Sequence, residues 1–227
     1  MTFLQDPEFG DRIITLMAAL VLVLQIAAVG QRWLVSSIRI FAVQSFLLAA
    51  IAGIIAYFNH ANHIYIAALL TLILKAGLLP WFLERLVKRI EIRREIEPLI
   101  NTPLSILIAG CLTLVGYVVA QSFYHPEETS VRALGHNTLA VAIALFLIGF
   151  FTMLNRRKAL TQVLGLLSLE NGLFLAAISL TFGMPLVVEL GIFFDVLVAV
   201  MVLGILVFRI REAFDSMDVS KLRKLRE

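Results

Sequence analysis

Mostly apolar runs, each near the roughly 17–25 residues a helix needs to cross a bilayer, recur seven times along this chain. They are Ile13–Val29, Ile38–Tyr57, His63–Phe82, Pro103–Gln121, Thr138–Leu154, Leu160–Thr181 and Pro185–Phe208. Such runs leave little choice of fold. In lipid every backbone N–H and C=O must be satisfied within its own element, so the runs are expected to be helices. No Gly/Ser-rich linker separates them, and one integral membrane domain is expected over residues 1–227. The reading is all-α: a polytopic helical bundle with about seven transmembrane helices. Composition agrees, since 60 % of the residues are hydrophobic against about 45–50 % in soluble domains. The N-terminal MTFLQDPEFGDR carries Asp6, Glu8 and Asp11 where a signal peptide has a basic n-region. The first run is therefore expected to be a span and not a leader.

Orientation follows from the basic residues, which collect on the cytoplasmic side of membrane proteins. Of nineteen Lys and Arg, all but Lys75, Arg12 and Arg132 fall in alternate connections or in the C-terminal tail. Seven spans fit this alternation, with the N-terminus outside and the C-terminus cytoplasmic; an even number breaks it. A multi-pass protein of a prokaryotic inner membrane is expected. Thr102-Pro103 reads as an N-cap followed by proline at the first helical position. Gly183-Met184-Pro185 reads as a tight turn. At the start of the charged segment ERLVKRIEIRREIEP, Leu83 just before it and Leu86, Val87 and Ile90 within it repeat at helical spacing. This segment either lies along the headgroups or continues the third helix into solvent.

Several chemistries are excluded or unsupported. The single cysteine, Cys111, forms no internal disulfide and is too few for an iron–sulfur cluster. His60, His63, His125 and His136 sit in or beside short loops and do not assemble a ligand set, so no metal site and no catalytic residue is assigned. Phosphate-loop, nucleophile-elbow and dinucleotide fingerprints are missing. A net charge of +3, with its cations at the edges of apolar runs, indicates membrane topology and no nucleic-acid partner. No pair of Gly/Pro-interrupted helices recurs in matching halves, as an inverted-repeat carrier requires.

Four ionisable residues fall inside the runs: Lys75, Glu170, Glu189 and Asp195. At about 1.5 Å per residue, Lys75, Glu170 and Asp195 lie near the middle of three different helices, and Glu189 lies close to the outer surface. A charge at a helix centre costs about 2.5–3.5 kcal/mol. Protonating a glutamate at pH 7 against a reference pKa of about 4.3 costs about 3.7 kcal/mol. The costs are similar, so a small change of surroundings tips such a group between charged and neutral, as a proton relay requires. The bland alternative is polar contact between helices, worth about 0.6–2 kcal/mol, which an amide supplies at lower cost. Lys75 is either a relay member or a fixed counter-ion. Glu189 and Asp195, six residues apart, point about 120° from one another, so a tight dyad is not expected.

The stretches RRKALTQVLGLLSLENGLFLAAISL and GMPLVVELGIFFDVLVAVMVLGILVFRIREAFDSMDVSKLRKLRE resemble hydrogenase-4 component E, a membrane subunit of energy-converting nickel–iron hydrogenases and formate hydrogenlyase-type complexes. The likeness extends more loosely through Lys75 and Asn101-Thr102-Pro103-Leu104-Ser105. The C-terminal third is also similar to the small K-type membrane subunit of respiratory complex I. On that resemblance, residues 155–208 are a helix pair carrying buried acids, preceded by five helices over 13–154 and followed by a cytoplasmic tail over 209–227. Glu170 matches the first relay glutamate and Asp195 the second, with aspartate replacing glutamate and a shorter loop between them. Arg156, Arg157, Arg209, Asp215 and Asp218 are implied partner contacts.

The resemblance implies a subunit without catalysis or cofactor of its own. Nickel–iron and iron–sulfur centres belong to a peripheral hydrogenase arm, and antiporter-like subunits are the membrane neighbours. Two readings stand beside it: a structural scaffold for those subunits, and a free-standing proton or sodium transporter.

Overall fold

The computed structural model describes residues 7–59, 62–89, 98–122 and 136–180, with the isolated position Gly204, and all the regular elements among them are helical. Helix α1 is Pro7–Gly30, α2 is Leu34–Asn59 and α3 is Asn62–Leu70. A π-helical segment, Thr71–Leu78, joins α3 to α4, Leu79–Arg89. Helices α5 (Thr102–Ser122), α6 (His136–Leu154) and α7 (Ala159–Leu180) follow.

Six of the expected runs are thus helical, the third as a composite of α3, the π segment and α4. Among the described residues, 5 helices are long and apolar enough to cross a membrane, and Thr138–Leu154 is apolar but shorter. The seventh expected run, with Glu189 and Asp195, lies outside the described residues apart from Gly204, as does the tail with Arg209, Asp215 and Asp218.

Helices α6 and α7 pack backbone to backbone. A Cβ placed on Gly149 would collide with the amide nitrogen of Leu169, and one on Gly172 would lie 2.5 Å from that of Phe146. Small residues at a seam are how membrane helices associate where burying apolar surface gives no advantage over lipid. Helix α2 lies against α1, the composite third helix and α7, while α1 also touches α5 and α6. Leu16 and Val23 of α1 and Leu107, Leu114 and Val118 of α5 point outward, the surface a lipid-facing exterior calls for.

One end of the bundle is tied together by its connections. The Leu99 N–H donates to the Asn155 carbonyl at 2.9 Å. The Asn155 side chain accepts the Ile100 N–H at 2.9 Å and donates to Ser105 Oγ at 2.9 Å. Arg156 Nη2 donates to the Val29 carbonyl at 2.9 Å, and Arg39 meets Glu84 at 3.3 Å. The ends of α1, α4 and α6 therefore share this end with the starts of α2, α5 and α7, as up-and-down alternation demands. Arg32, Arg39, Arg85, Lys88, Arg156, Arg157 and Lys158 all belong to it, and it is called the basic end below. At α5, the Ser105 N–H reaches the Asn101 carbonyl at 2.9 Å, so the helix opens one residue before the Thr102 cap expected from Thr-Pro.

The charged segment after the third run departs from both expectations where it is described. Helix α4 does continue the third helix, but not into solvent. Leu83 and Val87 are buried against Leu34, Ile38 and Phe41 of α2 and Val163, Leu164 and Leu167 of α7. The amphipathic face covers the bundle's own side, which buries more apolar surface than a headgroup layer offers.

Two apolar clusters divide the interior along its length. The one far from the basic end joins α1, α2, α3, α6 and α7 through Ile14, Val21, Leu48, Ile51, Ile64, Leu145, Phe174 and Leu175. The one at the basic end joins α2, α4 and α7, and a small neighbour joins Val29, Ala109 and Ile148 of α1, α5 and α6. Between them lies a layer of buried polar side chains.

Candidate functional site

Each helix contributes to that polar layer where its run passes from one apolar cluster to the other. On α2, Gln44 and Ser45 fall between Phe41 and Leu48; on α7, Ser168, Glu170 and Asn171 fall between Leu167 and Phe174. In the composite third helix, Thr71 and Lys75 fall between Ala68 and Leu79, and α1 adds Gln25.

At its centre, Lys75 Nζ lies 3.6 Å from Glu170 Oε1, longer than a direct hydrogen bond but an ion pair. The residues are 3 % and 1 % exposed. The Lys75 ammonium also stands 5.6 Å from the Phe174 ring centroid, within cation–π range. Two unit charges about 4 Å apart attract by about 4 kcal/mol at an effective dielectric near 20. Placing two charges at mid-membrane costs about 2.5–3.5 kcal/mol each. Pairing recovers most of that cost and no surplus, so stabilisation alone is a poor reason for the pair to exist.

Lys75 sits within the π-helical segment, where the Leu79 N–H reaches back five residues to the Leu74 carbonyl. Such turns insert one extra residue into a helix and turn a side chain out of its α-helical register. Here the buried residues of the segment are Thr71 and Lys75.

The rest of the layer is polar but uncharged. Asn171 Nδ2 lies 3.5 Å from Ser45 Oγ. Gln44 Nε2 donates to Gln25 Oε1 at 2.9 Å and to the Val21 carbonyl at 3.3 Å. Thr71 Oγ1 and Asn171 Oδ1 have no hydrogen-bond partner among the described residues. Buried amides and hydroxyls of this kind supply exchangeable protons and lone pairs without charge.

The structure brings together two of the residues singled out from sequence, Lys75 and Glu170. Glu189, Asp195, Arg209, Asp215 and Asp218 lie outside the described residues. Arg157 is exposed, whereas Arg156 is 3 % exposed and turned inward. Burial lowers the Arg156 pKa from the ordinary arginine value by desolvating its charged form, yet a guanidinium remains a cation at neutral pH. Among the described residues, no group of 3 or more His, Cys, Asp or Glu is placed to hold a metal ion.

Sequence reasoning had not singled out Gln25, Gln44, Ser45, Thr71, Ser168 or Asn171. They were visible as polar letters inside apolar runs, but attention to charge alone passes over them. The π segment has no comparable signature.

No protein-family model matches the chain, and no solved structure matches it. An uncharacterised protein of Mycobacterium tuberculosis is 38 % identical over 200 residues, covering 88 % of this chain and 89 % of that protein. Hydrogenase-4 component E of Escherichia coli K12 is 26 % identical over 217 residues, covering 96 % of this chain and 99 % of that protein. Hydrogenase-4 component E of Shigella flexneri matches to the same extent.

Proposed function

The chain belongs to one family with the mycobacterial protein and is a distant full-length homologue of Hydrogenase-4 component E, and from this premise we propose that it is a non-redox membrane-arm subunit of an energy-converting, hydrogenase-4-like complex, contributing buried ionisable groups to the proton path. The observation that carries the reading is the Lys75–Glu170 pair, buried mid-bundle between two apolar clusters and joined across 3.6 Å. In this reading Glu170 accepts and releases a proton while Lys75 holds the charged form in place. Asp195 and Glu189, on the seventh apolar run, are further stations by the likeness to the small complex I subunit. Arg156, Arg157, Arg209, Asp215 and Asp218 serve contacts with partners.

The N-terminus faces outward and the C-terminus faces the cytoplasm, so the basic end of the bundle is cytoplasmic in an inner membrane. Antiporter-like subunits and a peripheral hydrogenase arm are the partners, and the nickel–iron and iron–sulfur centres reside there.

A scaffold is the second reading, and the same pair favours it: a buried ion pair also locks two helices. The deciding experiment compares redox turnover and proton uptake of the purified complex in sealed vesicles, wild type against Glu170→Gln, after assembly is verified. Loss of uptake in an intact complex supports the relay. Unchanged uptake leaves the pair as a structural lock.

A further inference from the structure

The two ends of the bundle close differently around the polar layer. Away from the basic end, a single cluster of buried apolar side chains joins α1, α2, α3, α6 and α7. At the basic end the apolar cover is split between the α2–α4–α7 cluster and the α1–α5–α6 cluster. In the gap lies a cavity of about 20 Å³, lined by Gln25, Ser37, Gln44, Thr152, Arg156 and Ser168 among others. That volume suits one water molecule, given two to four polar partners.

The partners have the right chemistry. Arg156 Nε and Gln25 Nε2 are buried donors with no hydrogen-bond partner among the described residues. Also on its lining, the Ser37 hydroxyl donates to the Trp33 carbonyl at 3.3 Å and the Thr152 hydroxyl to the Ile148 carbonyl at 2.7 Å. Each hydroxyl oxygen has therefore committed its proton and keeps lone pairs with which to accept. Two waiting donors and two waiting acceptors are what one tetrahedral water satisfies. An anion meets lone pairs here, a bare sodium ion meets a guanidinium, and a hydrated one is too large. A buried donor left without an acceptor is costly, which adds weight to an occupant.

The cavity also leads somewhere. On α7 it is lined by Thr161, Leu164 and Ser168; Asn171, about one turn beyond Ser168, lies 3.5 Å from Ser45 and is the chain neighbour of Glu170. On α2 it ends at Gln44, the neighbour of Ser45.

We propose that Arg156 and Gln25 hold an internal water between α1, α2, α6 and α7, and that the layer around Lys75 and Glu170 exchanges protons with the basic end through this water, the described residues of the opposite end being covered chiefly by the larger apolar cluster, with Thr138 and Ser179 hydrogen-bonded to each other beyond it. The inference rests on the relay reading of Glu170 and adds to it the side of access. A proton passes from water to the polar file by exchange along hydrogen bonds, and no other co-reactant is needed.

The test has two arms. Radiolytic hydroxyl-radical footprinting of the full-length wild-type chain in lipid reads bound water directly. Phe41 lines the cavity yet is buried, so after correction for intrinsic reactivity it is expected to label well above Ile51, which belongs to the opposite cluster. Equal protection of Phe41 and Ile51 overturns the water site. The second arm measures proton uptake by the assembled complex with Gln25→Leu and the similarly shaped Gln25→Met. A fall of about tenfold, the rate equivalent of losing one hydrogen bond of roughly 1.4 kcal/mol, supports the route. Normal uptake together with a labelled Phe41 overturns the route while keeping the water. Normal uptake in Glu170→Gln instead overturns the relay itself, so the two failures are told apart.

Discussion

Among the described residues two cations are buried, Lys75 and Arg156, and the fold treats them differently. Lys75, in mid-bundle, meets a carboxylate on another helix and the face of Phe174. Arg156, at the basic end, meets the Val29 carbonyl and a polar cavity lined with amides and hydroxyls. Depth explains the difference. Near the membrane centre no neutral dipole offsets the desolvation of a full charge, so a counter-charge is required. Near the interface carbonyls and water suffice. A compact ammonium on a flexible stem suits the first task, and a guanidinium that donates in several directions suits the second. The charge that is expensive to keep is the one paired with a group able to change its protonation.

The largest effect that sharpens this contrast is expected from Lys75→Met, which leaves the Glu170 carboxylate buried without its cation. Unfolding of the full chain in detergent is expected to show a loss of about 3–5 kcal/mol. Lys75→Met combined with Glu170→Gln restores most of it, giving a coupling energy well outside additivity. Additive single effects would erase the distinction between the two cations.

Next comes the clasp beside Arg156. Asn155→Ala removes the side chain that accepts the Ile100 N–H and donates to Ser105 Oγ, and a loss of about 1–3 kcal/mol is expected in the same assay. Arg156→Leu is expected to cost less, about 1–2 kcal/mol, because removing the charge also removes its desolvation. A loss larger than that of Lys75→Met would invert the comparison.

The smallest effect belongs to Arg39→Ala. Its pair with Glu84 leaves the Arg39 side chain 72 % exposed, and exposed pairs contribute about 0–1 kcal/mol and are screened by salt. A melting temperature that moves strongly with this substitution at high salt would show that exposure is a poor guide to the value of a charge here.

Sequence alone determined much about this protein. The length and spacing of the apolar runs dictated helices, since a backbone in lipid has no other way to satisfy its hydrogen bonds. The alternation of basic connections gave the up-and-down order, which the hydrogen bonds among Leu99, Asn155, Arg156 and Val29 then realise at one end. Depth along a helix also followed from counting, and it put Lys75 and Glu170 at one level. Counting residues gives height, however, and not direction. Whether two side chains at one level face each other depends on how neighbouring helices rotate and pack. Gly149 and Gly172 press α6 against α7, and the π segment turns Lys75 out of α-helical register. That rotation made an ion pair of two charges whose contact no spacing rule encodes. The same packing gathered Gln25, Gln44, Ser45 and Asn171 into one layer and split the apolar cover at the basic end. Those juxtapositions are long-range in the chain, so only the tertiary structure decided them.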